Sequence, residues 1–269
     1  MKIAIAGATG VVGRHVTAAA EARGHDILPL TRGAGYDLAR GTGPDGASLT
    51  DALAGVDAVI DVTSVQTTSA ARSRDFFTAV TTNLLRAERE ARVGHHVALS
   101  IVGIDGVDAS YFAGKLAQER LVDAAPVPHT ILRATQFHEF AEQVTARLSL
   151  GRLLTPIPIG RYRPVAAREV GERLVEVAAD APAGRARDLT GPREERLADM
   201  VRRIFAHDGV RRPVVEFPFP GPYGTASASG ALRGGADADR AIITFDDWLR
   251  SDDHTPIGAR TDAAASART

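Results

Sequence analysis

Tyr111 and Lys115 stand four positions apart in a Tyr-x-x-x-Lys pattern. On a helix that spacing puts both side chains on one face, one turn apart. A phenol with its ordinary pKa of about 10 is a poor acid-base group at neutral pH. A neighbouring ammonium favours the phenolate and brings the group closer to working range. The lysine is informative in itself, because Lys2 and Lys115 are the only lysines among 32 basic residues. Where any positive charge will do, this chain uses arginine. A point-like ammonium can also donate to both hydroxyls of a sugar ring, which the broad guanidinium does less compactly. A predicted strand ends just upstream, at Ser100.

The second constellation opens the chain: Lys2-Ile-Ala-Ile-Ala-Gly-Ala-Thr-Gly-Val-Val-Gly13. A buried strand ends at Ala6, the chain turns at Gly7, and a helix predicted from Val11 aims its free N–H groups above the strand end. An anionic diphosphate fits there. Gly7 permits the turn, Gly10 lets a pyrophosphate approach the backbone, Gly13 lets the helix pack closely, and Thr9, Val11 and Val12 complete the binding segment. At the end of the second strand, where a carboxylate would accept bonds from the adenosine ribose of NAD, the chain carries Thr31 and Arg32. A hydroxyl and a guanidinium suit a 2′-phosphate, so NADP(H) is favoured over NAD(H). Asp37 and Leu38 are expected at the adenine edge, and Thr63 and Ser64 beside the nicotinamide-side ribose.

These groups need a scaffold. Strands are predicted at Lys2–Ala6, Asp26–Thr31, Tyr36–Leu38, Ala58–Thr63, His96–Ser100 and Thr130–Arg133. They alternate with helices at Val11–Arg23, Ser48–Ala54, Ala70–Val93 and Ser110–Ala124, with Phe76, Phe77, Val80, Leu84 and Leu85 marking the buried face of the longest. The alternation predicts an α/β fold, a doubly wound parallel sheet of the Rossmann kind, with a small C-terminal substrate-capping region. Beyond Gln136 the rhythm changes: helices at Glu139–Leu148, Glu169–Ala179 and Glu195–His207, and loop with short strand over 152–164. Phe217–Gly224 is expected to resist regular structure and to form a rim or lid. Thr244 caps a last short helix that buries Trp248. One domain is expected over 1–250, with a dinucleotide-binding core at about 1–135 and a substrate-side region at 136–250; a disordered tail is expected over 251–269.

Composition excludes several classes. There is no cysteine, hence no disulfide, thiolate catalysis or cysteine metal site. The eight histidines show no close paired spacing with acidic partners, so no metal is expected, and His95-His96 reads as the polar entry to a strand. A formal charge of -1 gives no global electrostatic reason to expect nucleic acid or an anionic membrane. No apolar run is long enough to cross a bilayer. Because the first strand starts at Lys2, no cleavable leader and a cytoplasmic address are expected. The partner is a small-molecule substrate; the sequence leaves monomer and homodimer open.

Gly7-Ala-Thr-Gly-Val-Val-Gly13, Ser100, Tyr111-Phe-Ala-Gly-Lys115 and Thr130-Ile-Leu-Arg-Ala-Thr-Gln-Phe137 together resemble the short-chain dehydrogenase/reductase superfamily. The nearest branch is the atypical one, the NmrA-like NAD(P)-binding proteins, and the likeness spans about residues 1–250. The resemblance implies an NADP(H)-dependent oxidoreductase in which Ser100 orients a substrate carbonyl, Tyr111 passes the proton, and Lys115 holds the nicotinamide ribose while tuning Tyr111. It places Ala134, Gln136 and Phe137 at the nicotinamide, and His138, Phe140 and, from the lid, Tyr223 at the substrate. His138 reads equally as a structural loop histidine. Asn83 falls one or two turns late for the asparagine that completes the family's set. A binding-only redox sensor and an epimerase or dehydratase are the alternatives.

Overall fold

The computed structural model describes residues 1–151 and 153–257. In chain order the first half runs β1 (Lys2–Ala6), α1 (Gly13–Ala22), β2 (Asp26–Leu30), α2 (Leu49–Ala52), β3 (Ala58–Asp61), α3 (Ala70–Ala91), β4 (His95–Ile101), α4 (Ser110–Ala124) and β5 (His129–Ala134). The second half continues with α5 (Glu139–Leu148), β6 (Thr155–Pro158), β7 (Arg161–Tyr162), α6 (Ala167–Ala179), β8 (Gly184–Arg185), β9 (Leu189–Thr190) and β10 (Glu195–Arg196). It closes with α7 (Leu197–His207), β11 (Val214–Phe217), α8 (Gly221–Ser229), β12 (Asp239–Arg240) and α9 (Phe245–Leu249).

The chain divides into two units, Met1–Ala134 with Ala167–Leu189 and Gly234–Asp239, and Thr135–Ala166 with Thr190–Arg233 and 240 onward. Beyond the expected boundary near 135 the chain changes unit four more times, because 167–189, with α6, β8 and the first residue of β9, and 234–239 return to the first unit. Its sheet has the order β12-β9-β5-β4-β3-β1-β2, with β8 also on β5. The pairs β1–β2, β1–β3, β3–β4, β4–β5 and β5–β9 are parallel. The chain thus goes outward from β1 to β2, then returns to the other side of β1 for β3. This is the doubly wound α/β architecture, and the reversal beside β1 is the switch point at which such sheets bind ligands.

The fold follows from the sequence pattern. The β1 run Ile3–Ala6 is fully buried, as a central parallel strand covered on both faces must be. On one face Ala4, Ala6 and Val59 pack with Leu49 of α2, with Leu53 just after it, and with Val80, Leu84 and Ala87 of α3. Elsewhere α6 lies so close to α1 that a Cβ on Gly171 would come within 2.8 Å of the His15 and Val16 backbone. Tyr36–Leu38 makes no strand: only Asp37 bridges Thr42, and a three-residue helical turn at Arg32–Ala34 takes up the chain after β2.

In the second unit β6 pairs with β11 in parallel and β7 with β10 antiparallel. Trp248 is fully buried, as its sequence context predicts, and donates from Nε1 to Glu139 Oε1 at 3.3 Å. The irregular segment expected over Phe217–Gly224 is shorter, since α8 begins at Gly221. The start of the expected tail is folded: His254 is buried and ion-paired, and Ile257 N donates to Asp208; the rest of that expectation, 258–269, lies outside the described residues. No helix among the described residues is long and apolar enough to cross a membrane.

The close crossing of α3 and α4 leaves no room for a side chain, because a Cβ on Gly114 would stand 2.3 Å from Ser73 Oγ and 2.5 Å from Ser73 O. Gly114→Ala is expected to destabilise the protein by about 1–3 kcal/mol despite alanine's better helix propensity, as overpacked sites do. Urea unfolding checks this; equal or greater stability of the variant contradicts it.

Candidate functional site

Three chain segments meet at the switch point. The turn after β1 is shaped by the lack of side chains. Gly7 has φ +87° and its missing Cβ would touch Val62 O at 3.0 Å and Thr63 Cα at 3.2 Å, so the β1 and β3 exits run side by side. A Cβ on Gly13 would fall 2.1 Å from Gly7 O. Gly13 therefore closes the helix onto the turn itself, a tighter constraint than the expected packing on the sheet. Helix α1 begins at Gly13, two residues later than expected, with Val12 buried as its N-cap and Thr9, Gly10 and Val11 exposed. Gly10 N–H donates to Gly7 O, whereas the N–H groups of Val11, Val12 and Gly13 have no backbone acceptor among the described residues. The three open donors at a helix N-terminus suit an anionic oxygen.

After β2, Thr31 Oγ1 accepts from Ala34 N at 3.2 Å, which leaves its hydroxyl hydrogen to donate, and Arg32 is exposed. The next residues correct the expected adenine edge in part. Leu38 is packed into the core, and Asp37 accepts from Arg40 N and pairs with its guanidinium. Asn83 has a role that the sequence did not disclose: its Nδ2 donates to Leu38 O at 3.0 Å and Ala39 O at 2.9 Å, pinning this loop to α3.

The third segment is α4 with the β3 exit. Tyr111 is positioned by α3, since Ser73 Oγ donates to Tyr111 O at 2.8 Å and the Phe77 ring meets the phenol edge-on. Its hydroxyl lies 3.0 Å from Ser64 Oγ, an exposed residue just past β3. Ser100 takes a different side. It is buried in register with Arg133 of β5, beside Glu119, whose carboxyl is held by Arg133 Nε and Nη2 at 2.8 and 2.6 Å. Burial pushes the Glu119 carboxyl up, but the Arg133 bonds outweigh it and hold the group below its usual range. The structure thus brings Tyr111 to Ser64, whereas Ser100 Oγ is buried with no hydrogen-bond partner among the described residues.

Lys115 also departs from expectation. It is buried and its Nζ donates to Gln118 Oε1 at 2.6 Å; Gln118 Nε2 donates in turn to Asp61 Oδ2 at 2.8 Å. The other carboxylate oxygen of Asp61 accepts from Thr63 N and Oγ1 at 2.9 and 2.7 Å. Nζ sits 4.5 Å above the Phe77 ring. Burial pushes the Lys115 ammonium down to about 8, while Asp61 and Glu119 pull it back up. Tyr111 moves the opposite way from the expected tuning: burial pushes its phenol up to about 12, the Asp61 charge adds to the rise, and the Ser64 hydrogen bond only partly offsets it. Asp61 and Gln118 carry no motif. The sequence signal for Asp61 was a carboxylate at the end of an otherwise apolar strand, Ala58-Val-Ile-Asp61.

The remaining expected residues lie at the end of β5 and in the second unit. Ala134 is buried and its carbonyl accepts from Val102 N. Gln136 Oε1 is buried with no hydrogen-bond partner among the described residues, an acceptor suited to an amide N–H. Phe137 bridges Val165. His138 is a core residue rather than a substrate contact: it is 1% exposed, bonds Ile243 O through Nε2 at 3.1 Å, and packs on Phe245 and Trp248. Burial pushes its imidazole down to about 4. Phe140 and Tyr223 do come together, through Tyr162, which meets the Phe140 ring edge-on and shares a hydrogen bond with the Tyr223 hydroxyl.

A parallel sheet with glycine-shaped anion donors at its switch point defines a dinucleotide-binding α/β protein. Residues 7–180 match the NAD(P)H-binding family, and the chain belongs to it. No curated protein matches the chain. Among solved structures it is similar to a nucleoside-diphosphate-sugar epimerase from Pseudomonas aeruginosa, at 19% identity and TM-score 0.69, with 98% of each chain covered. It is also similar to a short-chain dehydrogenase/reductase superfamily protein from Agrobacterium tumefaciens with bound NAD, at 18% identity and TM-score 0.63 over 100% of this chain and 99% of that one. An NADPH-dependent quinone oxidoreductase from Escherichia coli follows at 15% identity and TM-score 0.62, covering 92% of this chain and 98% of that one. These likenesses establish the Rossmann-type α/β fold.

The buried relay makes a clean titration possible. With two lysines in the chain, lysine side-chain labelling gives two NMR signals, of which the Lys115 signal is expected to titrate near 8. Asp61→Asn removes the charge that supports the ammonium and should lower that midpoint. Because the folded pKa lies below the ordinary 10.5, the unfolded chain binds more protons between the two values and stability rises with pH there. A midpoint near 10.5 for both lysines contradicts this account.

Proposed function

We propose that the protein is an NADP(H)-dependent oxidoreductase that transfers hydride to or from a small carbonyl-type substrate, with Tyr111 as the proton-carrying group. The observation that carries this reading is the Tyr111 hydroxyl 3.0 Å from the exposed Ser64, at the mouth of the β3 exit next to the Gly7 turn. The residues fit the cofactor: the turn from Gly7 to Gly13 offers unpaired N–H donors, and Thr31 and Arg32 suit a 2′-phosphate. Bound NADPH supplies the hydride. In the reducing direction Tyr111, a protonated phenol at neutral pH, gives its proton to the substrate oxygen as the carbonyl carbon gains the hydride. Ser64 orients that hydroxyl and takes the orienting part that resemblance assigns to Ser100. Lys115 is the residue that would donate to the ribose hydroxyls of a bound cofactor, and an ammonium brought near the phenol would lower its pKa.

A second reading, a binding-only NADP(H) sensor, draws support from the burial of Ser100 and from Lys115 at Gln118. Turnover separates the two. Wild-type protein screened against carbonyl and quinone compounds by NADPH absorbance is expected to oxidise NADPH, and Tyr111→Phe to bind NADPH unchanged while kcat falls about 10²–10⁴-fold. Full activity in Tyr111→Phe removes Tyr111 from the chemistry. Arg32→Ala is expected to weaken NADPH roughly 10- to 100-fold and leave NADH alone, as loss of a charged hydrogen bond does; equal loss for both refutes the NADP preference.

A further inference from the structure

Far from the nucleotide turn in sequence, the second unit gathers His207, Asp208 and His254, with one potential ligand atom from each within 4.8 Å of the others. His207 is the last residue of α7 and Asp208 its C-cap, so both stand where the helix dipole presents its negative end. His254 comes from the segment after α9. Asp208 Oδ1 lies 2.9 Å from His207 Nδ1 and 2.8 Å from His254 Nε2. A single carboxylate oxygen thus faces two imidazole nitrogens. In a tetrahedral zinc site, bonds of about 2.0–2.2 Å put neighbouring donor atoms roughly 3.3–3.6 Å apart, so the two spacings to Asp208 Oδ1 open by about half an ångström, and all three donor atoms already lie within 4.8 Å of one another.

The surroundings are those of a ligand set. His254 Nδ1 is 2.6 Å from Glu142 Oε1, the carboxylate–imidazole pairing that fixes ring orientation and tautomer behind a metal. Asp208 Oδ2 accepts from Ile257 N at 2.9 Å. The Trp248 ring lies 5.1 Å from the His254 ring, tilted by 59°. The side chains of Asp208, His254 and Glu142 are at most 4% exposed, while His207 is 38% exposed and gives an ion access. The Asp208 and Glu142 carboxylates that flank the His254 ring suit a cation.

We propose that His207, Asp208 and His254 bind one zinc-type divalent cation, with Glu142 holding His254 from behind and solvent completing the coordination. Two imidazoles and one carboxylate select a borderline transition ion over magnesium. The ion would fasten residues 251–257 to α7 and α5.

The test uses the full, untagged chain after chelator treatment, titrated with zinc chloride by calorimetry alongside a thermal melt. One equivalent of Zn2+ is expected to bind and raise Tm, while Mg2+ does neither. His207→Ala, at an exposed ligand whose loss leaves the core intact, is expected to weaken Zn2+ at least tenfold with the metal-free Tm unchanged. Glu142→Gln is expected to weaken it about 10- to 100-fold. Absence of zinc binding in the wild-type chain, or equal zinc affinity in His207→Ala, overturns the proposal.

Discussion

Backbone approaching backbone at distances no Cβ would allow is the constraint on which the first unit depends. Gly7 lets the β1 exit run against Val62 and Thr63, Gly13 seats α1 on that same turn, and Gly114 lets α4 lie on Ser73 of α3. Each approach brings a functional segment into place. The first two create the open N–H donors, and the third sets the height of Tyr111 over the β3 exit. A protein interior is packed too tightly to absorb an added methyl at such points without moving a whole element.

The second organising force is the cost of buried charge. Asp61, Lys115, Glu88, His96, Glu119 and Arg133 are all buried in the first unit, and each is tied to a partner of opposite sign or to a polar bridge. His96 Nδ1 lies 2.9 Å from Glu88 Oε1, and that carboxylate outweighs burial to raise the imidazole pKa. Gln118 separates Asp61 from Lys115 while bonding both. An amide bridge lets the ammonium be released to another acceptor without leaving a bare ion pair behind, whereas a direct salt bridge would hold it more strongly.

What could be read from the sequence follows this division. Strands and helices of the first unit came from hydrophobic period and glycine position, and α4 and α5 match their expected limits, because local pattern and tertiary burial agree there. Tyr36–Leu38 failed as a strand because Leu38 serves the core under α3 while Asn83 takes the loop carbonyls, a long-range choice that no local pattern encodes. The tyrosine–lysine pair was visible, but its partners were not: Ser64, Gln118 and Asp61 lie 47, 3 and 57 positions from the residues they bond. His138 read equally as a substrate contact and as a structural histidine because the sequence could not show Phe245 and Trp248 folding back onto it. His207 and His254 gave no spacing signal for the same reason.

Asn83 carries a wider consequence. Because it grips Leu38 O and Ala39 O from α3, and because Gly41 packs directly against its amide, the chain beyond Arg32 is tethered from below and not by the residues that would touch a nucleotide. Recognition and support are thus assigned to different side chains. Positions 31 and 32 can drift during evolution, or be redesigned in the laboratory toward a different dinucleotide, without loosening the shelf on which they ride.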